Sequence, residues 1–292
     1  MSDKLEIAIA GATGFVGIEL IKKLYDHPNV NLKYLFVKES IDEDIYKSLP
    51  NNITDLPKLK KLDINLIKKC DVFFSALPHA ELHKIAKEII SNTVIIDLSA
   101  DFRLPDISVY EKWYKIKHES PELQSQSTYG LSEIFRDKIV KSNLISCPGC
   151  YPTSVLLPLI PLIHNKMVDC SNIIIDSKSG YSGAGKKIYN NKDYPNLDEN
   201  IAIYGVGNHR HMPEINHYLS LYSNETIEVS FTPHLIPTFR GMLSTIYIKS
   251  ETSLDEIYKT LKNKYENEQF VDVFKSKMIN TNEIINTNKA LI

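Results

Sequence analysis

Short apolar runs alternate with amphipathic stretches through the first half of the chain. Four runs have the composition typical of strands: residues 5–10, 32–37, 71–79 and 93–98. The last of them is almost continuously apolar, as in strands buried on both faces of a parallel sheet. Helical periodicity follows the first run as far as His27-Pro28 and covers residues 80–90 after the third. This alternation predicts an α/β, doubly wound Rossmann-type domain over residues 1–148.

The pattern changes in the second half. An apolar, helix-like stretch precedes three runs with strand composition, and these four segments are residues 155–163, 172–177, 227–231 and 242–248. Strands and helices no longer alternate one by one. We therefore expect a catalytic α+β domain over residues 149–292.

Composition narrows the class of protein. The 292 residues are enough for two domains, and 43% hydrophobic with 24% charged residues is typical of a globular protein. A formal net charge of -2 gives no electrostatic reason to expect binding to nucleic acid or to an anionic membrane. Four scattered cysteines form no disulfide framework, and no signal peptide or membrane-spanning run is evident. We expect a cytoplasmic protein.

A glycine-rich turn directly follows the first strand and opens a helix. In a dinucleotide-binding fold, Gly11 makes the tight turn, Gly14 lets the backbone approach a pyrophosphate, and Gly17 lets helix and strand pack closely. The phosphates then lie at the helix N-terminus. A plain packing turn is the alternative. The residues that we expect at the dinucleotide are Gly11, Thr13, Gly14, Phe15, Val16 and Gly17.

The residues at the ends of the second and third strands bear on the identity of the cofactor. Lys38 and Ser40 favour the 2′-phosphate of NADP, whereas Glu39 is the residue type that binds the free ribose hydroxyl of NAD. Ligands of open α/β sheets bind at the carboxyl ends of the strands, which also brings Leu77 and Pro78 to the cofactor. We expect NADP.

Cys150 is the candidate nucleophile. A Pro-Gly turn precedes it and the apolar, helix-like stretch follows it, so its sulfur is expected near a helix N-terminus. The N–H groups and the dipole of that end favour an anion, and a thiolate is the nucleophilic form of cysteine. The alternative is a small buried hydrophobic residue, the common fate of free cysteine.

Polar segments beyond Cys150 carry its candidate partners. The segment at residues 209–214 holds two imidazoles, a guanidinium and a carboxylate, and a cysteine nucleophile needs an imidazole within reach. The Gly/Ser loop at residues 178–186 can bind an anion through its N–H groups, and Arg240 through its guanidinium fork. Solvated loops and a surface arginine are the alternatives. The single His-x-His spacing supports no metal site.

Eight motifs in this order resemble the N-acetyl-gamma-glutamyl-phosphate reductase family, of the aspartate-semialdehyde dehydrogenase-like group. They cover nearly the whole chain and lie at residues 11–14, 76–79, 97–103, 129–131, 148–153, 179–185, 209–214 and 233–242. The resemblance implies an NADP-dependent oxidoreductase of arginine biosynthesis. Cys150 would attack the acyl phosphate of N-acetylglutamyl 5-phosphate and expel phosphate, and NADPH would then reduce the thioester to the semialdehyde.

The resemblance also assigns roles to residues. His211 resembles the acid/base of the family, with His209 as the alternative. The residues implied in substrate binding are Arg103, His209, Glu214 and Arg240. The residues of the second half that the resemblance implies in cofactor binding are Ser179, Gly180, Ser182 and Gly183. Second domains of this type commonly assemble through a sheet face, so we expect a homo-oligomer.

The chain departs from the family at two places. Cys147 stands where the family usually has asparagine, and the resulting Cys-x-x-Cys is also typical of thioredoxin-like redox sites. A disulfide between Cys147 and Cys150 under oxidative stress is therefore a hypothesis. Relatives also continue beyond the segment at residues 285–288 with a helix that returns to the first domain, so either the sequence is truncated or the cofactor pocket lacks that wall.

Three rival interpretations stay open. Aspartate-semialdehyde and glyceraldehyde-phosphate dehydrogenases share the expected fold and cysteine, but fit the motifs at residues 148–153 and 209–214 less well. Relatives that act on carrier-protein-bound aminoadipyl or glutamyl phosphates share these motifs. The third is a catalytically silent NADP-binding protein.

Overall fold

Apolar strands of the first half assemble into a parallel sheet of seven strands. The computed structural model describes residues 4–38, 41, 44–185 and 199–292, and internal contacts divide the chain into the units 1–148 and 149–292. The strands of the first unit are β1 (Leu5–Ala10), β2 (Val30–Val37), β3 (Leu59–Lys61), β4 (Val72–Ser75), β5 (Val94–Asp97), β6 (Thr128–Tyr129) and β7 (Leu144–Ser146). Their order is β3-β2-β1-β4-β5-β7-β6, and every pair is parallel.

Both faces of this sheet are covered. Along β1, Ile7 and Ile9 enter one apolar cluster, whereas Ala8 and Ala10 enter another on the opposite face. The described helices of the unit are α1 (Phe15–Leu24), α2 (Ile64–Ile67), α3 (Ala86–Ile89), α4 (Ile107–Tyr114) and α5 (Ser132–Ile139). The strand order reverses between β1 and β4, where open α/β sheets bind their ligands. The doubly wound α/β prediction is confirmed.

The helix predicted over residues 80–90 is wrong in its first half. A short 3₁₀ turn at Leu82–Lys84 precedes α3. The reason is tertiary: the buried Asp101 carboxylate accepts the backbone N–H groups of Ala80 (2.7 Å), Leu82 (3.0 Å) and His83 (3.2 Å). Ala80 has a φ of 64°, so the chain enters this segment in a left-handed conformation.

The second unit packs helices on a mixed sheet. Its strands β8 (Asp169–Ser179), β9 (Ala202–Ile203), β10 (Ser230–Leu235) and β11 (Met242–Lys249) lie in the order β11-β8-β10-β9. The described helices are α6 (Cys150–His164), α7 (Met212–Ser223) and α8 (Leu254–Tyr265), and β12 (Val271–Asp272) pairs with β13 (Ala290–Leu291). This architecture confirms the α+β prediction.

The strand predicted at residues 227–231 begins only at Ser230. The N–H of Ile227 donates to Ser220 Oγ (2.8 Å) and that of Val229 to Asn216 Oδ1 (3.1 Å), so side chains of α7 bind this backbone before the strand pairing begins.

Among the described residues, no helix combines the length and apolar character that crossing a membrane would require.

Candidate active site

The glycine turn after β1 has room only for glycine at two positions. Gly11 has a φ of 76°, and a Cβ there would lie 2.2 Å from the carbonyl oxygen of Ala76. A Cβ on Gly17 would lie 2.2 Å from the carbonyl oxygen of Gly11. No described side chain caps α1, whose N-cap is Gly14. A helix N-terminus of this kind fits a pyrophosphate.

A cavity of about 310 Å³ opens next to this turn, at the carboxyl ends of β1 and β2. It brings together four of the predicted cofactor residues: Gly11, Lys38, Leu77 and Pro78. Apolar side chains that include Leu62 and Ile85 form much of its lining, as a flat heterocyclic ring requires. The residues present therefore fit the adenosine end of a dinucleotide. Ser40 lies outside the described residues.

The loop after β5 is tied to its neighbours by Asp101 and Arg103. Asp101 binds the loop after β4 through the three N–H groups given above. Arg103 is 6% exposed, and its Nε donates to the carbonyl oxygen of Cys147 (2.7 Å) while Nη2 donates to that of Leu98 (3.3 Å). This guanidinium thus fixes the backbone at the end of β7. Its role in substrate binding stays a prediction.

A row of buried polar side chains crosses the same edge of the sheet. Ser75, Asp97 and Ser146 stand level on β4, β5 and β7, and all are fully buried. Ser75 Oγ, Asp97 Oδ2 and Ser146 Oγ make no hydrogen bond within the described part of the chain. Burial, with the Asp101 charge nearby, raises the pKa of Asp97 to about 7. Sequence reasoning missed this row because it depends on strand register.

Cys147 is half-buried. Loss of solvation, with the Asp97 carboxylate nearby, raises the pKa of its thiol to about 12 against the opposing charge of Arg103. None of the four cysteines, all of which the structure describes, forms a disulfide. Cys147 is consequently a poor thiolate at neutral pH.

Cys150 is the first residue of α6, with Gly149 as the N-cap. Its side chain is exposed, so the sulfur is open to a substrate while the backbone places it where a helix favours an anion. This placement is the one that the Pro-Gly turn predicted.

His211 lies against the residue before Cys150. A Cβ added to Gly149 would fall 2.5 Å from His211 Nε2, so the ring occupies the space that any other side chain would need. The N–H of Gly149 donates to Glu214 Oε1 at 2.8 Å, and Glu214 is 1% exposed. The structure therefore brings His211 and Glu214 together at the start of α6. Substrate binding by Glu214 stays a prediction.

His209 holds the backbone of His211 through a hydrogen bond. Its Nδ1 accepts the backbone N–H of His211 at 3.1 Å, which requires a neutral Nδ1. Burial, together with the charge of Arg210, lowers the pKa of His209 to about 4. The imidazole is therefore neutral at physiological pH, and this favours His211 as the acid/base.

Three aromatic side chains, Tyr151, Tyr204 and Phe231, pack against His209, and sequence reasoning missed them. The ring of Tyr151 lies 5.5 Å from that of His209 and 5.8 Å from that of His211, and Phe231 lies 5.3 Å from His209. The hydroxyl of Tyr151 bonds to that of Tyr204 at 2.9 Å. The only sequence signal was that Tyr151 follows Cys150 directly.

The predicted anion loop packs against the segment before β11. The N–H of Gly180 donates to the carbonyl oxygen of Gly241 (2.9 Å) and that of Ser182 to the carbonyl oxygen of Phe239 (2.9 Å). A Cβ on Gly180 would meet the carbonyl oxygens of Thr238 and Phe239 at 2.8 Å. Arg240 adjoins the loop and donates to Asn286 Oδ1 at 3.4 Å. The roles of this loop and of Arg240 stay predictions.

Comparisons with known proteins agree with this fold. Residues 6–142 match the family model described as semialdehyde dehydrogenase, NAD binding domain, and residues 150–292 match semialdehyde dehydrogenase, dimerisation domain. Among solved structures, a probable aspartate-semialdehyde dehydrogenase from Pseudomonas aeruginosa has a TM-score of 0.69 at 12% identity, covering 99% of this chain and 87% of that one. An aspartate semialdehyde dehydrogenase with NADP from Candida albicans has a TM-score of 0.60 at 15% identity, covering 93% and 82%. These likenesses show the fold.

Curated relatives identify the family. N-acetyl-gamma-glutamyl-phosphate reductase of Methanosphaera stadtmanae is 43% identical over 94% of this chain and 80% of its own length. That of Clostridium beijerinckii is 43% identical over 92% and 79%. The sequence, the fold and these relatives agree that the chain belongs to the N-acetyl-gamma-glutamyl-phosphate reductase family.

Proposed function

We propose that this chain reduces N-acetyl-L-glutamyl 5-phosphate to N-acetyl-L-glutamate 5-semialdehyde with NADPH, in arginine biosynthesis. The observation that supports the proposal is the position of His211, whose Nε2 lies 2.5 Å from where a Cβ on Gly149 would be, next to Cys150 at the N-terminus of α6. The relatives bearing the name of this activity support it.

The first step is acyl transfer to sulfur. His211 takes the proton of the Cys150 thiol, and the sulfur attacks the acyl carbon of the substrate. A C–S bond forms, the C–O bond to the phosphoryl group breaks, and phosphate leaves with the electron pair. The N–H groups at the start of α6 stabilise negative charge at the reacting centre.

The second step is reduction of the thioester. NADPH, when bound at the glycine turn, would supply a hydride to the acyl carbon of the thioester, and the carbonyl would re-form as the sulfur leaves. The C–S bond then breaks, and His211 returns its proton to the departing thiolate of Cys150. His209 remains neutral and holds the His211 backbone in place. The rings of Tyr151, Tyr204 and Phe231 cover part of the His209 imidazole and limit water there.

The remaining site residues belong to the same proposal. For the cofactor they are Gly11, Thr13, Gly14, Phe15, Val16, Gly17, Lys38, Ser40, Leu77, Pro78, Ser179, Gly180, Ser182 and Gly183. For the substrate they are Arg103, His209, Glu214 and Arg240. Of these four residues, Arg240 is the best supported for substrate binding, because it adjoins the Gly180 loop and is only half-buried.

The test is the reverse reaction, phosphate-dependent reduction of NADP by N-acetylglutamate semialdehyde. We expect turnover by the unaltered chain, loss with Cys150→Ser, and retention with Cys170→Ser, a matched control at a second cysteine that forms no disulfide. Aspartate semialdehyde offered at the same concentration should turn over far more slowly. Absence of turnover above the Cys150→Ser background would overturn the proposal, and preference for aspartate semialdehyde would replace the substrate.

We further propose a cytoplasmic homo-oligomer built on the second unit. The name of the family model over residues 150–292, a dimerisation domain, supports association. Four cysteines without a disulfide fit a reducing compartment. Light scattering of the purified chain tests the oligomeric state.

A further inference from the structure

The cavity beside the glycine turn has a positively charged lining in addition to its apolar walls. Three lysines line it, Lys38, Lys61 and Lys84, together with a single carboxylate, Glu81. The side chains of Glu81 and Lys84 form an ion pair at 3.3 Å. The net charge of the lining is +2, and the pair leaves Lys38 and Lys61 as the cations without a described carboxylate partner.

Lys61 reaches this cavity because of its place on β3. It pairs in register with Val37, the last residue of β2, and is itself the last residue of β3. Lys38 follows Val37 directly, so the two lysines lie at the carboxyl ends of two adjacent strands, β2 and β3. The preceding residue, Lys60, does not line the cavity: its Nζ lies 5.2 Å from the ring centroid of Tyr34.

We propose that Lys61 is a specificity-determining residue that binds the 2′-phosphate of NADPH together with Lys38. This inference rests on the proposed use of NADPH and adds the residue that selects it over NADH. A phosphate monoester carries nearly two negative charges at neutral pH, which matches the two cations. The Glu81 carboxylate is held by Lys84, so it is not presented alone to a ribose hydroxyl as the acidic residue of NAD-specific folds is.

The experiment measures binding rather than turnover. Dissociation constants of NADPH and NADH are obtained from nicotinamide fluorescence, and those of adenosine 2′,5′-bisphosphate and 5′-AMP from calorimetry. Lys61→Met should weaken NADPH and the bisphosphate about tenfold and leave NADH and 5′-AMP unchanged, because only the phosphate contact is lost. Lys60→Met, one residue away, should change none of the four. Thermal unfolding of both variants confirms that they fold.

Two results would overturn the inference. Equal weakening of NADPH and NADH would mean that Lys61 shapes the cavity without reading the phosphate, and unchanged NADPH binding would mean that it makes no contact. Failure of the proposed function shows separately, as absence of semialdehyde turnover in a chain that still prefers NADPH.

Discussion

Glu214, in the first turn of α7, accepts the backbone N–H of Gly149 at the start of α6, at 2.8 Å and away from solvent. Two helix N-termini are thereby fastened to each other through a single carboxylate. The N-cap of α6 precedes Cys150 directly, and the N-cap of α7 is His211. The bond therefore fixes the position of the proposed nucleophile relative to its acid/base.

Removing that carboxylate should cost both stability and activity. Glu214→Ala leaves the buried N–H of Gly149 without this acceptor, and we expect a loss of about 1–3 kcal/mol in the free energy of unfolding. Glu214→Gln keeps an acceptor oxygen and should lose less. Urea unfolding with kcat/KM measures both effects. Glu228→Ala, an exposed control in the same unit, should change the free energy by less than about 0.5 kcal/mol; equal losses at both positions would contradict the assignment.

A methyl group on Gly149 should displace His211, the proposed acid/base. Gly149→Ala places a Cβ 2.5 Å from His211 Nε2, so the ring must move, and we expect kcat to fall at least about tenfold, since misplacement by an ångström is costly in catalysis. A double-mutant cycle with His211→Ala checks the cause. If the clash is with the ring, Gly149→Ala should destabilise the chain much less in the His211→Ala background. An unchanged penalty there would point to backbone strain.

Protonation of His209 should destabilise the fold in mild acid. Its pKa is about 4 in the folded chain and about 6.5 when unfolded, so between these values the unfolded state binds the extra proton. Stability is then fully present above about pH 6.5 and falls as the pH drops toward 4. His209→Gln should show a shallower fall between pH 7 and pH 5 in urea unfolding. Imidazole NMR resonances that report a charged His209 at pH 6 would refute the prediction.

The parts of the site that follow from short-range pattern were predictable. The turn at Gly11 and the position of Cys150 each depend on a few consecutive residues, and both lie where the pattern indicated. The contacts that organise the site join residues far apart in sequence. Asp101 captures the N–H of Ala80 from 21 residues away, and Glu214 that of Gly149 from 65. Periodicity contains no information on such pairs, which explains the wrong helix start and the missed aromatic side chains.

Asp97 should make the first unit less stable as the pH rises, which is opposite to the pH dependence expected from His209. Its pKa is raised to about 7 by burial, above the unfolded value of about 3.9, so the folded state keeps a proton that the unfolded state loses. The stabilisation is present below about pH 4 and is lost as the pH rises through 7. Asp97→Asn is neutral throughout, so it should gain thermal stability over the unaltered chain at pH 8 relative to pH 5. A difference that does not vary with pH would mean that Asp97 stays ionised.

Oxidative inactivation should depend on Cys150 and hardly on Cys147. With a pKa of about 12, Cys147 is almost entirely a neutral thiol at pH 7 and attacks an oxidised sulfur slowly. We therefore expect hydrogen peroxide to inactivate the unaltered chain and Cys147→Asn at the same rate, with iodoacetamide labelling Cys150 first. Mass spectrometry of the oxidised chain separates the outcomes. A reversible loss of activity that consumes two thiols and that disappears in Cys147→Asn would contradict this prediction. It would instead establish the disulfide between Cys147 and Cys150 that the Cys-x-x-Cys spacing suggested, and would show that Cys147 reacts despite its raised pKa.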